Sequence, residues 1–141
     1  KVPIVGWVME KFRIIFVDRK AHDGTAYHEG VQALKNGEQM MVFVEGTRCN
    51  KNKHVRAKTG AVRMAVEADA PLVPVFITRN KTPWCPVNVI FGQPYEMPKR
   101  DGWTHDEYQH EADELLRRIY RLGGDSYADH IGKDGGVLLR G

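Results

Sequence analysis

At 141 residues the chain has the length of one domain and can bury roughly two-thirds of its unfolded surface, so it needs neither a disulfide nor a metal to be stable. Its composition, 42% hydrophobic and 28% charged, is that of an ordinary soluble globular protein, and no apolar run approaches the ~20 residues of a membrane span. A net charge of +3 is too slight for a nucleic-acid binder and suits anionic lipid surfaces, acidic carrier proteins or phosphorylated substrates.

Pro3 to Phe12 opens on a proline suited to a first helical turn and repeats apolar residues at Ile4, Val8 and Phe12, which predicts a short helix. The β-branched and aromatic run Arg13 to Val17 predicts a strand ending in Asp18 and Arg19. Asp23 or Thr25 can cap a helix that puts Tyr27, Val31 and Leu34 on one face and stops at Gly37. Met40 to Val44 predicts the second strand, and the loop after it is the most basic local segment, with Lys51, Lys53, Arg56 and Lys58. A helix from Thr59 to Ala68 is expected to bury Ala61, Met64, Ala65 and Ala68. Leu72 to Ile77 reads as a third buried strand, placed at an edge or bulged by Pro74, and Val87 to Phe91 as a fourth.

The last helix has the fullest local signature. Thr104 and Glu107 form a capping box, Trp103 and Tyr108 stand where a hydrophobic staple needs them, and Tyr108, Ala112, Leu115, Ile119 and Leu122 line one face up to Gly123 and Gly124. Strands alternating with helices predict an α/β fold with a mixed, largely parallel sheet flanked by helices over residues 1–124. Residues 125–141 form a glycine-rich tail with little periodicity.

The stretch Met40 to Cys49 concentrates the chemistry. An apolar run of strand length stops at Glu45, Gly46 supplies a flexible joint, and Thr47 and Arg48 then offer a hydroxyl and a planar guanidinium. Arginine grips phosphate or carboxylate with two prongs, so a phosphate-bearing ligand is the first expectation; simple pairing of Glu45 with Arg48 across the turn is the alternative. Lys58 stands at the amino-terminal end of the next helix, where free N–H groups favour anions. Cys49 and Cys85 lie outside any paired motif and read as free thiols of a reducing, cytoplasmic compartment. His105 and His110 are five apart and face different directions, so no metal site is expected. The basic loop lacks interleaved aromatic residues and fits lipid headgroups better than nucleic acid.

Three blocks in this order resemble the glycerophospholipid acyltransferase family. Phe16-Val17-Asp18-Arg19 is similar to the family's second block, Phe43-Val44-Glu45-Gly46-Thr47-Arg48 to its third, and Pro71-Leu72-Val73-Pro74-Val75 to its fourth; Lys58-Thr59-Gly60 matches a Lys-x-Gly that often follows the third block. Val44 replaces the usual proline and Cys49 the usual serine. The family's first block, histidine, four residues, then aspartate, is not present at any of the six histidines. The resemblance therefore implies a chain that is amino-terminally incomplete and begins downstream of that block.

The resemblance implies transfer of a fatty acyl group from acyl-CoA or acyl-carrier protein to a lysophospholipid or glycerol phosphate, with no cofactor and no catalytic residue inside this chain. It assigns Arg19, Glu45, Gly46, Thr47, Arg48 and Lys58 to the substrate phosphate and Val73, Pro74 and Val75 to the core or an acyl-chain groove. Peripheral attachment to the cytoplasmic side of an anionic membrane follows for the whole enzyme, with the fragment itself soluble and prone to self-association. A phosphate-binding module on the same fold that does no catalysis is the alternative.

Overall fold

The computed structural model describes residues 24–46, 54–78, 87–124 and 137–138. The expected helix over Pro3 to Phe12 and the expected strand over Arg13 to Val17 lie outside them. In chain order the described elements are α1 (Thr25–Lys35), β1 (His54–Val55), α2 (Gly60–Ala68), β2 (Val75–Ile77), β3 (Val89–Phe91), α3 (His105–Leu122) and β4 (Val137–Leu138).

Helix α1 ends as its sequence dictates. Gly37 takes the left-handed conformation at φ 79°, its N–H donates to the carbonyl of Leu34, and the N–H of Glu38 donates to that of Ala33, so two orphan carbonyls of the last turn are satisfied. Its start differs from expectation: Gly24 occupies the cap position at φ 69°, without a side-chain cap bond, and Thr25 is already helical. Asp23 lies outside the described residues. On the inner face Val31 is buried, and so is Gly30, where a Cβ would come within 2.8 Å of both Met40 Cε and Met64 Sδ. Glycine there lets α1 lie close against α2 and the segment after α1, which offsets the roughly 1 kcal/mol that it costs a helix interior.

Helix α2 buries Ala61, Val62, Met64 and Ala65 and stops where Asp69 turns left-handed at φ 51°. Ala68, expected on the inner face, is only half-buried, whereas Val62 is fully enclosed. Helix α3 carries the signature read from its sequence. The Glu107 N–H donates to Thr104 Oγ1 at 3.3 Å, the Thr104 N–H donates to Glu107 Oε2 at 2.8 Å, and Trp103 stacks on Tyr108 with ring centroids 5.2 Å apart. Ala112, Leu115, Leu116 and Tyr120 of α3 join Val44, Ala57, Ala61, Val62, Ala65, Phe76 and Met97 in one core cluster. Leu116 and Tyr120, both omitted from the predicted face, are among its largest fully buried side chains.

The sheet is where expectation and structure part. Among the described residues both strand pairs are antiparallel: β2 with β3 in the register Val75 to Phe91, Phe76 to Ile90 and Ile77 to Val89, and β1 with β4 in the register His54 to Leu138 and Val55 to Val137. The segment between Ile77 and Val89 is close to the minimum of roughly a dozen residues for a parallel crossover, and the chain returns antiparallel. Pro74, which has no N–H to give, stands just before β2 and accepts at its carbonyl from the Gly92 N–H at 2.8 Å. These strands are not buried on both faces. Phe76 alone in β2 is enclosed, and every residue of β3 is exposed.

Met40 to Val44 likewise forms no strand pairing among the described residues. Met41, Val42 and Phe43 are exposed and only Val44 enters the core; among the described residues the Phe43 carbonyl accepts from Gly46 and the Val44 carbonyl from Lys58.

Glu107 gives the capping box a pH signature. The Thr104 backbone N–H, then Arg100, then the Thr104 hydroxyl hold its carboxyl at about 2, below the ordinary 4.5. A lowered folded pKa contributes stability that is complete above about pH 4.5 and is lost as the pH falls through about 2. Thermal unfolding of Glu107→Gln should therefore show a shallower decline across that window than the parent chain; parallel profiles would mean that the ionised carboxylate adds nothing to the cap.

Candidate functional site

The site begins with a tight turn. The Gly46 N–H donates to the carbonyl of Phe43 at 3.0 Å, and Gly46 itself lies in the left-handed region at φ 63°. This lifts Glu45 out of the apolar run while Val44 stays buried beneath it. The turn is fixed to the start of α2 by a 2.7 Å hydrogen bond from the Lys58 N–H to the carbonyl of Val44. The stem of Lys58 then crosses Gly46 so closely that a Cβ there would fall 2.7 Å from Lys58 Cγ. Gly46 thus serves both a positive φ and a close approach.

Two further contacts come from α3. The hydroxyl of Tyr120, a residue only 1% exposed, donates to Glu45 Oε1. One turn and more toward the helix start, the buried carboxylate of Asp113 accepts from the Ala57 N–H at 3.3 Å and from Gln109 Nε2 at 3.0 Å, and Gln109 Nε2 also donates to the carbonyl of Ala57 at 3.0 Å. Arg56 Nε lies 3.9 Å from the other oxygen of Asp113, with most of its side chain exposed. The arrangement leaves Lys58 exposed beside a turn whose backbone and carboxylate are both anchored. A cation held over an open backbone joint suits an anionic ligand.

Of the residues singled out in the sequence, the structure brings Glu45, Gly46 and Lys58 together. Arg19, Thr47 and Arg48 lie outside the described residues. Val73 is exposed, Pro74 buried and Val75 half-buried, so the three do not share one environment. Sequence reasoning missed Gln109, Asp113 and Tyr120. Polar residues at helical spacing on the inner side of α3 were the available signal, but nothing in the sequence names their partners.

Two clefts, of about 320 and about 310 Å³, lie elsewhere, and neither is lined by Glu45, Gly46 or Lys58. In the first, Lys99 is paired with Asp69 at 2.6 Å, and that pairing raises its ammonium pKa. In the second, Arg63 stacks over Tyr108 and Arg100 over Trp103. Tyr27 also lines it, and burial and the hydrogen bond to Glu67 push its hydroxyl up. Charges of both signs meet in each cleft. Among the described residues no group of histidine, cysteine and carboxylate side chains converges to hold a metal, and no helix is long and apolar enough to cross a membrane.

Residues 1–78, which include the turn and Lys58, match the acyltransferase family. The chain belongs to the acyltransferase family. It is 29% identical over 140 residues to the 1-acyl-sn-glycerol-3-phosphate acyltransferase alpha of Ovis aries, an alignment covering 88% of this chain and 48% of that protein. It is 30% identical over 77 residues to the 1-acyl-sn-glycerol-3-phosphate acyltransferase of Pseudomonas aeruginosa, covering 52% of this chain and 30% of that protein. A 1-acyl-sn-glycerol-3-phosphate acyltransferase of Cocos nucifera is 24% identical over 96 residues, covering 62% of this chain and 30% of the relative. The chain spans about half the length, or less, of these relatives. No solved structure matches it.

Gly46→Ala tests the turn within this acyltransferase chain. The added Cβ meets both the left-handed backbone and the Lys58 stem. Urea unfolding should show a loss of about 1–2 kcal/mol, and a loss below about 0.5 kcal/mol would show that the turn relaxes at little cost.

Proposed function

We propose that this acyltransferase moves a fatty acyl group from a thioester donor, acyl-CoA or acyl-carrier protein, to a lysophospholipid such as 1-acylglycerol-3-phosphate. The observation that carries the reading is the Glu45–Gly46 turn lying beneath the Lys58 stem in the part of the chain that matches the family. In such a transfer the acceptor hydroxyl attacks the thioester carbonyl, the C–O bond forms, the C–S bond breaks, and the hydroxyl proton passes to a base. The residues of this chain supply the hold on the acceptor. Lys58 meets the phosphate together with Arg48 and Arg19, Glu45 orients the turn, and Gly46 lets backbone and ligand approach. Exposed Val73 is the residue of its block best able to meet an acyl chain.

The base is assigned to a histidine, four residues, aspartate block preceding Lys1 in the whole polypeptide, because no histidine of this chain has aspartate at that spacing. The chain by itself then binds acceptor without turnover. An anionic membrane surface is the proposed place of work, on its cytoplasmic side, since the acceptor is a lipid. A phosphate-binding module on the same fold that does no catalysis is the second reading. Sequencing the native polypeptide upstream of Lys1 separates the two.

In the whole polypeptide, Arg48→Ala should raise the KM for 1-acylglycerol-3-phosphate roughly 10–100-fold with little change in the donor KM, the loss typical of a charge-assisted phosphate contact. An unchanged acceptor KM would remove Arg48 from the site.

A further inference from the structure

Helix α3 lies wholly beyond residues 1–78, the part that matches the family, yet its side chains hold both arms of the turn. Gln109 and Asp113 are four apart and Tyr120 seven further on, spacings that fall along one stripe of a helix. Each reaches a different part of the site. Gln109 and Asp113 satisfy both the N–H and the carbonyl of Ala57, the residue before Lys58, as a neighbouring strand would. Tyr120 donates to the carboxylate of Glu45. The hydrogen bond from Lys58 to Val44 closes the circuit between the two anchor points.

We propose that Tyr120, Gln109 and Asp113 are positioning residues for the acceptor-phosphate grip: α3 sets the separation of Glu45 and Lys58 without touching substrate. The inference rests on the reading of that turn as the acceptor site. Burial supports it, because Tyr120 is enclosed and Asp113 nearly so, whereas Glu45 is half-buried and Lys58 exposed. A purely apolar side chain at position 120 would fill the core equally well, with its ring still edge-on to Phe76, but would leave the Glu45 carboxylate without its hydroxyl donor. The hydroxyl is therefore the part of Tyr120 that serves the turn.

The test uses the whole polypeptide, with kinetics for 1-acylglycerol-3-phosphate and for the acyl donor beside a thermal melt. Tyr120→Phe should raise the acceptor KM roughly tenfold, leave the donor KM and kcat within about twofold, and shift Tm little. Glu45→Ala should act alike, and the double variant should be no worse than the more damaging single one, since both remove the Tyr120–Glu45 hydrogen bond. Gln109→Leu, at a half-buried position of the same stripe, should also raise the acceptor KM and carries the test should Tyr120→Phe not fold. His110→Ala, exposed on the same helix, is the control and should change nothing. Variants that lower Tm but leave the acceptor KM unchanged would overturn the proposal and make these side chains structural only. If Arg48→Ala and Glu45→Ala also leave it unchanged, the acceptor-site reading itself fails and takes this inference with it. An effect of Arg48→Ala without one of Tyr120→Phe or Gln109→Leu overturns this inference alone.

Discussion

Lys58 is joined to Val44 by a 2.7 Å hydrogen bond between their backbones, and much of the described structure depends on that contact. Val44 belongs to the apolar run that ends in the turn, and Lys58 to the residues that start α2. Without the bond the two would be separate loop ends. With it, Val44 and Ala57 both enter the core, Gly46 is pressed under the Lys58 stem, and the polar residues of the turn are displayed on an anchored base. A single backbone hydrogen bond contributes only about 1 kcal/mol net, so its geometry must be held by packing.

That packing comes from α3. Leu116 and Tyr120 are enclosed between α2, β2 and the turn, and full burial of such side chains contributes about 1.5–3 kcal/mol each. The helix is fixed at its start by a capping box and a stacked Trp103–Tyr108 staple, which set where its inner stripe falls. Conformational definition at the helix start is thus passed along the stripe to Asp113 and Tyr120. Arg118 lies over the ring of Tyr95, whose hydroxyl burial pushes up to about 12, and adds a contact on the outer side. Family membership resides in residues 1–78, but the rigidity of the turn resides partly outside them.

What was legible in the sequence was whatever local chemistry determines. The Thr104–Glu107 box, the Trp103–Tyr108 staple and the Gly37 stop each join residues at most five apart, and all three were readable. The start of α1 was misread because Gly24 caps it through backbone conformation, with no side-chain signal. Alternation of strands and helices implies crossovers, whereas both described strand pairs are antiparallel; the expected strand over Arg13 to Val17 lies outside the described residues. The run Met40 to Val44 looked like a buried strand on hydrophobicity alone, a property that specifies burial and says nothing of pairing partners. Tyr120 and Glu45 are 75 residues apart, and no local pattern connects them. The turn residues themselves were legible through the motif, and their anchors were not.

The central claim is that the Glu45–Gly46 turn with Lys58 is where acceptor phosphate binds. The most direct measurement is the movement of backbone amide NMR signals in the labelled chain as sn-glycerol 3-phosphate is added. Saturable shifts concentrated at Gly46, Ala57, Lys58 and Gly60, with α1 and the Lys99–Asp69 cleft still, are the predicted result. Shifts confined to the Arg63–Arg100 or Lys99 clefts, with Gly46 and Lys58 unmoved at saturation, would contradict it.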